Sequence, residues 1–308
     1  MALGGNPIFN GKNFRGATQA PPVPQAQYGQ NPYGQAPYGQ NPYGQAPGRA
    51  PGQVMDAQGG WMAQQQNMTH DQLQQMYNQP AAGPAETGRM TFDDVIIKTA
   101  ACLGVLVAGA AVTLFVGMSL ASLLMIVGAL GGFVLAMVNT FKKQPSPALI
   151  LAYAGLEGLF LGGLTRVLDT MYPGVGLQAV IGTLSVFAVT LLLFKSGKVR
   201  ATPKAMKFFM IALVGYALFS VVNLVMMVTG LTTEPFGLRS GIIGVVIGVL
   251  AIGLAAFSLV MDFTSIEEGV RNGAPERFSW TAAFGLTVTL VWLYVEIIRL
   301  LAILRGDD

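Results

Sequence analysis

Seven stretches of this 308-residue chain are each long, apolar and nearly free of charge, and no other feature narrows the possible folds as much. They run approximately from Val95 to Gly117, Leu120 to Phe141, Ala148 to Leu168, Val175 to Phe194, Phe208 to Gly230, Ser240 to Asp262, and about Trp280 to Leu304. A bilayer's hydrocarbon core is about 30 Å thick, so a spanning helix needs roughly 20 predominantly apolar residues. A strand reading fails, because continuous apolar runs of this length carry no period-2 alternation. Turn signals separate the stretches: Gln144-Pro145-Ser146-Pro147, Tyr172-Pro173-Gly174 and Arg271-Asn272-Gly273-Ala274-Pro275. Thr91 is placed to cap the first helix, with Asp93 and Asp94 at the positive end of its dipole. The expected fold is an all-α integral membrane protein, a seven-transmembrane-helix bundle.

The remaining sequence is of another kind. Overall 52% of residues are hydrophobic and 11% charged, yet the first 90 positions are mostly Gln, Pro, Gly, Tyr, Ala and Asn. There "YGQNPYGQAP" at 28 to 37 repeats identically at 38 to 47. Such sequence cannot bury enough apolar area to offset ordering entropy. Residues 1–90 are therefore expected to be a disordered cytoplasmic tail, and residues 91–308 the membrane domain. The tail's chemistry stays open between a plain flexible extension and one whose spaced Tyr28, Tyr33, Tyr38 and Tyr43 contact a partner or each other.

Lys and Arg concentrate in alternate loops: Lys142 and Lys143; Lys195, Lys198, Arg200, Lys204 and Lys207; Arg271 and Arg277. The opposite loops carry little beyond Arg166 and Arg239, with Arg305 at the end. This bias puts the N-terminus in the cytoplasm and the C-terminus outside the cell membrane. The net charge of +3 follows from that asymmetry and from a basic face toward anionic lipid, with no need for nucleic acid. The N-terminus has no basic segment followed by an apolar one, so no cleaved signal is expected and the first span serves as targeting signal. One cysteine, Cys102, allows no intramolecular disulfide, and one histidine, His70, argues against a zinc site or a His-based triad. No tightly bound cofactor is expected.

Within the spans, Gly128 and Gly132, Gly158 and Gly162, and Gly244 and Gly248 have the small-xxx-small spacing of closely packed helices, and Asn223 suits an interhelical hydrogen bond. Acids at membrane depth are costlier, about 2.5 to 3.5 kcal/mol for a central Asp. The candidates are Glu157 in "AYAGLEGLFLGG", Asp262 in "SLVMDFTSIEEG" and Glu296 in "VTLVWLYVEIIRLLAILRG". Each has a structural alternative. Asp262 could mark the polar end of span six, Glu157 could be a buried hydrogen-bond partner, and Glu296 could pair with Arg299 one turn on. Three such acids in one small bundle favour a polar interior.

"YAGLEGLFLGG", "SLVMDFTSIEEGV" and "AAFGLTVTLVWLYVEIIRLLAIL", with seven spans and a polar tail, resemble the Bax inhibitor 1-like family, most closely its bacterial, actinobacterial-type branch. The likeness covers roughly residues 90 to 305 and excludes the tail. It implies a seven-helix bundle with the last helix at its centre, and an acidic pair from the last two spans associated with a pH-dependent calcium leak. Asp262 matches the span-six aspartate. Glu296 stands where relatives carry aspartate, and span two lacks the basic residue that can partner the pair, with Arg299 a possible substitute.

Helical spacing of Phe263, Ile266 and Val270 extends span six to Asn272-Gly273, with Asp262 roughly 12 Å above that end. A last helix starting at Ser279 would put Glu296 roughly 25 Å up. The depths match if residues 276 to 284 lie along the interface, anchored by Phe278, Trp280 and Phe284, and the buried helix starts near Gly285. Asp262 and Glu296 would then share a proton or bind calcium transiently, since two adjacent carboxyls in a low-dielectric site cannot both ionise cheaply. Three functions compete: a pH-sensitive calcium or cation leak; a non-catalytic scaffold or regulator of other membrane proteins, proteases included; and an intramembrane aspartyl protease. The last expects two aspartates and a Gly-x-Gly-Asp context, which Tyr-Val-Glu lacks. The leak is the preferred expectation, and the chain is not expected to be an enzyme.

Overall fold

The computed structural model describes residues 88–232, 234 and 236–306. The expectations for the repeat tail and for His70 lie outside them. Seven helices long and apolar enough to cross a membrane follow one another: α1 Phe92–Phe115, α2 Met118–Phe141, α3 Pro147–Met171, α4 Val175–Lys195, α5 Pro203–Val228, α6 Gly241–Arg271 and α7 Phe278–Gly306. A 3-10 turn, Gly237–Arg239, precedes α6. The described residues form no strand.

Local chemistry sets the helix starts. Thr91 Oγ1 accepts from the Asp94 backbone N–H at 3.1 Å, with Asp93 and Asp94 in the first turn of α1. Proline occupies the first position of α3 and of α5, where its missing N–H has no intrahelical partner to lose. Gly174, at φ 83°, turns the chain into α4 while the Asp169 carboxylate accepts from its N–H at 2.9 Å.

The helices sort into two packing groups. α3 lies against both α1 and α2, and the contact depends on glycine. A Cβ on Gly109 would stand 2.5 Å from the Gly155 carbonyl oxygen, and one on Gly128 the same distance from that of Leu156. Without side chains there, backbones approach closely and gain dispersion contacts that lipid cannot match. α7 is the central helix, touching α1, α3, α4 and α6. Buried residues make up 72% of its apolar heart, against 6% for α5, which packs mainly on α6 and the 3-10 turn and reaches α7 through Tyr216.

The arginines at the end of the bundle that holds the C-terminus are engaged by protein. Arg166 of α3 donates to the Thr113 and Leu114 carbonyls, each at 2.9 Å, and to that of Val116, closing the last turn of α1. Arg305 donates to the Pro173 carbonyl at 2.5 Å. At the opposite end the Met90 N–H donates to the Ala274 carbonyl at 2.7 Å, and Lys98 pairs with Glu276 at 3.0 Å.

α6 does continue to Arg271. The interfacial segment expected at 276 to 284 is absent: α7 is one helix from Phe278 onward, and Phe278, Ala282, Ala283 and Phe284 are buried in protein. The reason is packing. Phe284 meets the Tyr153 ring edge-on at 5.0 Å inside a cluster with Cys102, Ile150 and Ala154, so the bundle supplies a better apolar environment than the membrane surface.

Candidate functional site

The buried polar groups of the bundle collect along α7. Thr289 and Glu296 are seven residues apart on it, hence on the same face and separated by about 10 Å of rise. Each belongs to a different constellation.

At the lower level, Asp262 of α6 is fully buried and its Oδ2 accepts from the Thr289 hydroxyl at 2.7 Å. Thr289 is about 16 Å from the start of α7, and Asp262 about 13 Å from the end of α6, so the two helices meet in register there. Glu296, about 27 Å from the start of α7, lies well beyond it. The direct Asp262 to Glu296 contact expected from the shorter helix is thus replaced by two carboxyls in series, because α7 begins before the position that expectation needed.

At the upper level Glu296, 2% exposed, is surrounded by donors. Its Oε2 accepts from Arg299 Nη2, the pairing one turn along the helix that the sequence allowed. Its Oε1 accepts from the Tyr216 hydroxyl of α5 and from Trp292 Nε1 at 3.2 Å. Arg239, from the 3-10 turn, brings Nη1 to 3.7 Å from the same oxygen. That guanidinium donates to the Tyr216 hydroxyl at 3.0 Å and to Ser220 Oγ, and lies 4.9 Å from the centre of the Tyr216 ring and 5.4 Å from that of Phe219. Two guanidiniums thus share one carboxylate, and all three residues are buried. Such a cluster is tolerable in a low dielectric only while the carboxylate holds both cations.

Asn223 secures the arm that delivers Arg239. Its Oδ1 accepts from the Leu238 N–H at 2.7 Å and its Nδ2 donates to the Phe236 carbonyl at 3.3 Å, so in place of the interhelical bond expected of it, Asn223 holds the loop before α6. Gly237, at φ 62°, makes the turn that lets Arg239 face inward.

Glu157 stands apart. It is half-buried on α3, one turn from Tyr153, and a Cβ on Gly132 would lie 2.8 Å from its Oε1. The glycine of α2 therefore makes room for this carboxyl. Among the described residues no group of three or more His, Cys, Asp or Glu could hold a metal ion.

Tyr216, Ser220, Trp292 and Arg239 escaped the sequence reasoning. A signal did exist for Arg239, since an arginine on the sparsely basic side of a membrane protein needs an acceptor, and Glu296 was the acid at that depth.

Among protein families, the one described as Bax inhibitor 1 like matches residues 6–306. The match takes in the polar N-terminal segment that the resemblance in the helices leaves out, so the resemblance at 90 to 305 understated the shared span. No curated protein matches the chain.

Proposed function

The chain belongs to the Bax inhibitor 1 like family, and on that premise we propose that this multi-pass membrane protein is a pH-sensitive leak pathway for cations, calcium among them. The observation that carries the reading is the pair of buried carboxyls at two depths along one face of the central helix: Asp262 held by Thr289, and Glu296 two turns beyond. Hard carboxylate oxygens suit a calcium ion, and two separated carboxyls offer it successive weak stops in place of a tight cage. Calcium is here the cargo, and nothing in the reading calls for a resident cofactor.

The donors around each carboxyl suggest how passage is controlled. Arg239 and Arg299 neutralise Glu296 at the C-terminal end of the bundle, so a cation entering there meets guanidinium charge until that cluster rearranges. Asp262 attracts a cation only when ionised. Acidification protonates it and lowers the leak; raising the pH restores the charge and the leak with it.

The Lys and Arg distribution supports a cell-membrane location, with the N-terminus in the cytoplasm and the C-terminus outside. A second reading, a scaffold for other membrane proteins, is favoured by α5, which packs on so little of the bundle that most of its surface is free for a partner helix. An intramembrane aspartyl protease is disfavoured, since that chemistry needs two carboxyls sharing a proton and these two have separate partners.

Calcium flux from purified protein in liposomes at two pH values tests the reading. Asp262→Asn keeps the hydrogen bond from Thr289 and removes the charge, so it should lower the flux and flatten its pH profile. Glu296→Gln should lower the flux by leaving the guanidiniums unopposed. If both variants conduct calcium as the parent does at both pH values, the leak reading fails and the scaffold replaces it.

A further inference from the structure

The end of the bundle opposite Glu296 carries two openings on a single seam between α1 and α6. The upper, about 610 Å3, is polar and is bordered by Arg89, Thr91, Phe92, Asp93, Val270 and Arg271. The lower, about 450 Å3, is apolar, with walls from Phe92, Thr99 and Ala100 of α1, Phe187 and Phe194 of α4, and Ile266 of α6. Phe92 borders both, and Ile266 lies one turn from Val270, so the polar opening sits directly above the apolar one.

Three observations give this seam the profile of an amphipathic anion. First, neither Arg89 nor Arg271 has an ion-pair partner among the described residues, whereas neighbouring Lys98 and Arg200 are paired with Glu276 and Glu267. Second, the upper opening meets the start of α1, a 24-residue helix whose first N–H groups have no intrahelical carbonyl, and Asp93 is the acid among the described residues that border it. Third, Thr99, 8% exposed, borders the otherwise apolar cleft, and its Oγ1 is buried without a hydrogen-bond partner. A buried hydroxyl left so costs about 1 to 3 kcal/mol, a cost relieved by an acceptor on a ligand. Thr99 lies about 10 Å below Phe92 along α1, and helix side chains tilt back toward the N-terminus, which brings the hydroxyl nearer the polar opening.

We propose that this seam binds one anionic glycerophospholipid from the surrounding leaflet. Its phosphate sits between Arg89 and Arg271 at the start of α1, a glycerol ester carbonyl accepts from Thr99, and one acyl chain fills the cleft lined by Phe187, Phe194 and Ile266. Charge complementarity selects the headgroup, since basic pockets between membrane helices favour anionic lipid. The cleft selects a chain, because it opens sideways past Phe92 and Ile96, both more than half exposed where the bilayer would be.

The test uses the full-length chain in a mild detergent, titrated with phosphatidylglycerol, with phosphatidylcholine of the same chains, and with inorganic phosphate. Native mass spectrometry reads bound lipid and the melting temperature reads stabilisation. Phosphatidylglycerol should bind and raise the melting temperature, and the other two should do neither. Arg89→Gln with Arg271→Gln, both at exposed positions, should weaken phosphatidylglycerol binding by about a hundredfold or more, the loss of two charge-assisted contacts. Ala100→Trp places an indole in the cleft from its membrane side and should abolish binding; Ala100→Leu replaces it if the lipid-free melting temperature falls. Thr99→Val should weaken phosphatidylglycerol binding and raise the melting temperature of the lipid-free protein, since it removes the unpaired hydroxyl. Equal binding of the two lipids, binding of inorganic phosphate in competition with phosphatidylglycerol, or unchanged affinity in the Ala100 variant would each overturn the proposal.

Discussion

Glu296→Gln is the substitution whose cost the structure sets most sharply. The amide keeps the volume of the carboxyl, and its oxygen can still accept from Tyr216 and Trp292. Its NH2 group, however, takes the place of the oxygen facing Arg299 Nη2, so a donor meets a donor. That forfeits a charge-assisted hydrogen bond, worth about 1.5 to 3 kcal/mol. Loss of the negative charge also leaves the guanidinium of Arg239, 3.7 Å from that site, facing a second buried cation without a counter-charge. Removing one partner of a buried ion pair typically costs about 3 to 5 kcal/mol, and we expect a loss in that range. The assay is reversible unfolding of the purified protein in mixed micelles. Arg299→Gln and the double variant complete a cycle, in which the double should be less damaging than the sum because the residues act as one unit. A loss below about 1 kcal/mol, the value of a solvent-screened pair, or strict additivity in the cycle, would refute the idea that these charges are held out of water.

Gly109→Ala should destabilise α1 against α3 by more than about 2 kcal/mol, since its Cβ meets the Gly155 carbonyl, whereas Gly104→Ala, with nothing within 4 Å, should be neutral or stabilising; the same unfolding assay compares them. Arg166→Gln should cost about 1 to 3 kcal/mol by leaving the end carbonyls of α1 without their guanidinium, and faster amide exchange at residues 113 to 118 would report the fraying. In a Cys102→Ser background, single cysteines at Lys198 and Arg271 should resist impermeant thiol reagents in intact cells while one at Pro173 reacts, and the opposite pattern would invert the orientation.

The number of helices, their approximate limits and the cap at Thr91 were legible in the sequence because each depends on residues close together in the chain: about 20 apolar positions, or a hydroxyl three residues before an N–H. The Glu296 to Arg299 pair was legible for the same reason, its partners being one turn apart. The glycine spacings of α2 and α3 announced close packing, though not that α3 would be the helix packed against both α1 and α2. Only the tertiary structure could decide which residues of different helices share a level in the bundle. That decision rested on Phe284, whose packing with Tyr153 keeps α7 helical from Phe278 and so sets Thr289, instead of Glu296, opposite Asp262. It rested also on Asn223 and Gly237, which fold the loop before α6 so that Arg239 enters from outside the span and joins Glu296. Hydropathy is a sum over neighbours in sequence and survives without knowledge of the fold; the meeting of one carboxylate with two guanidiniums is set by helix register and loop geometry, which no local sum contains.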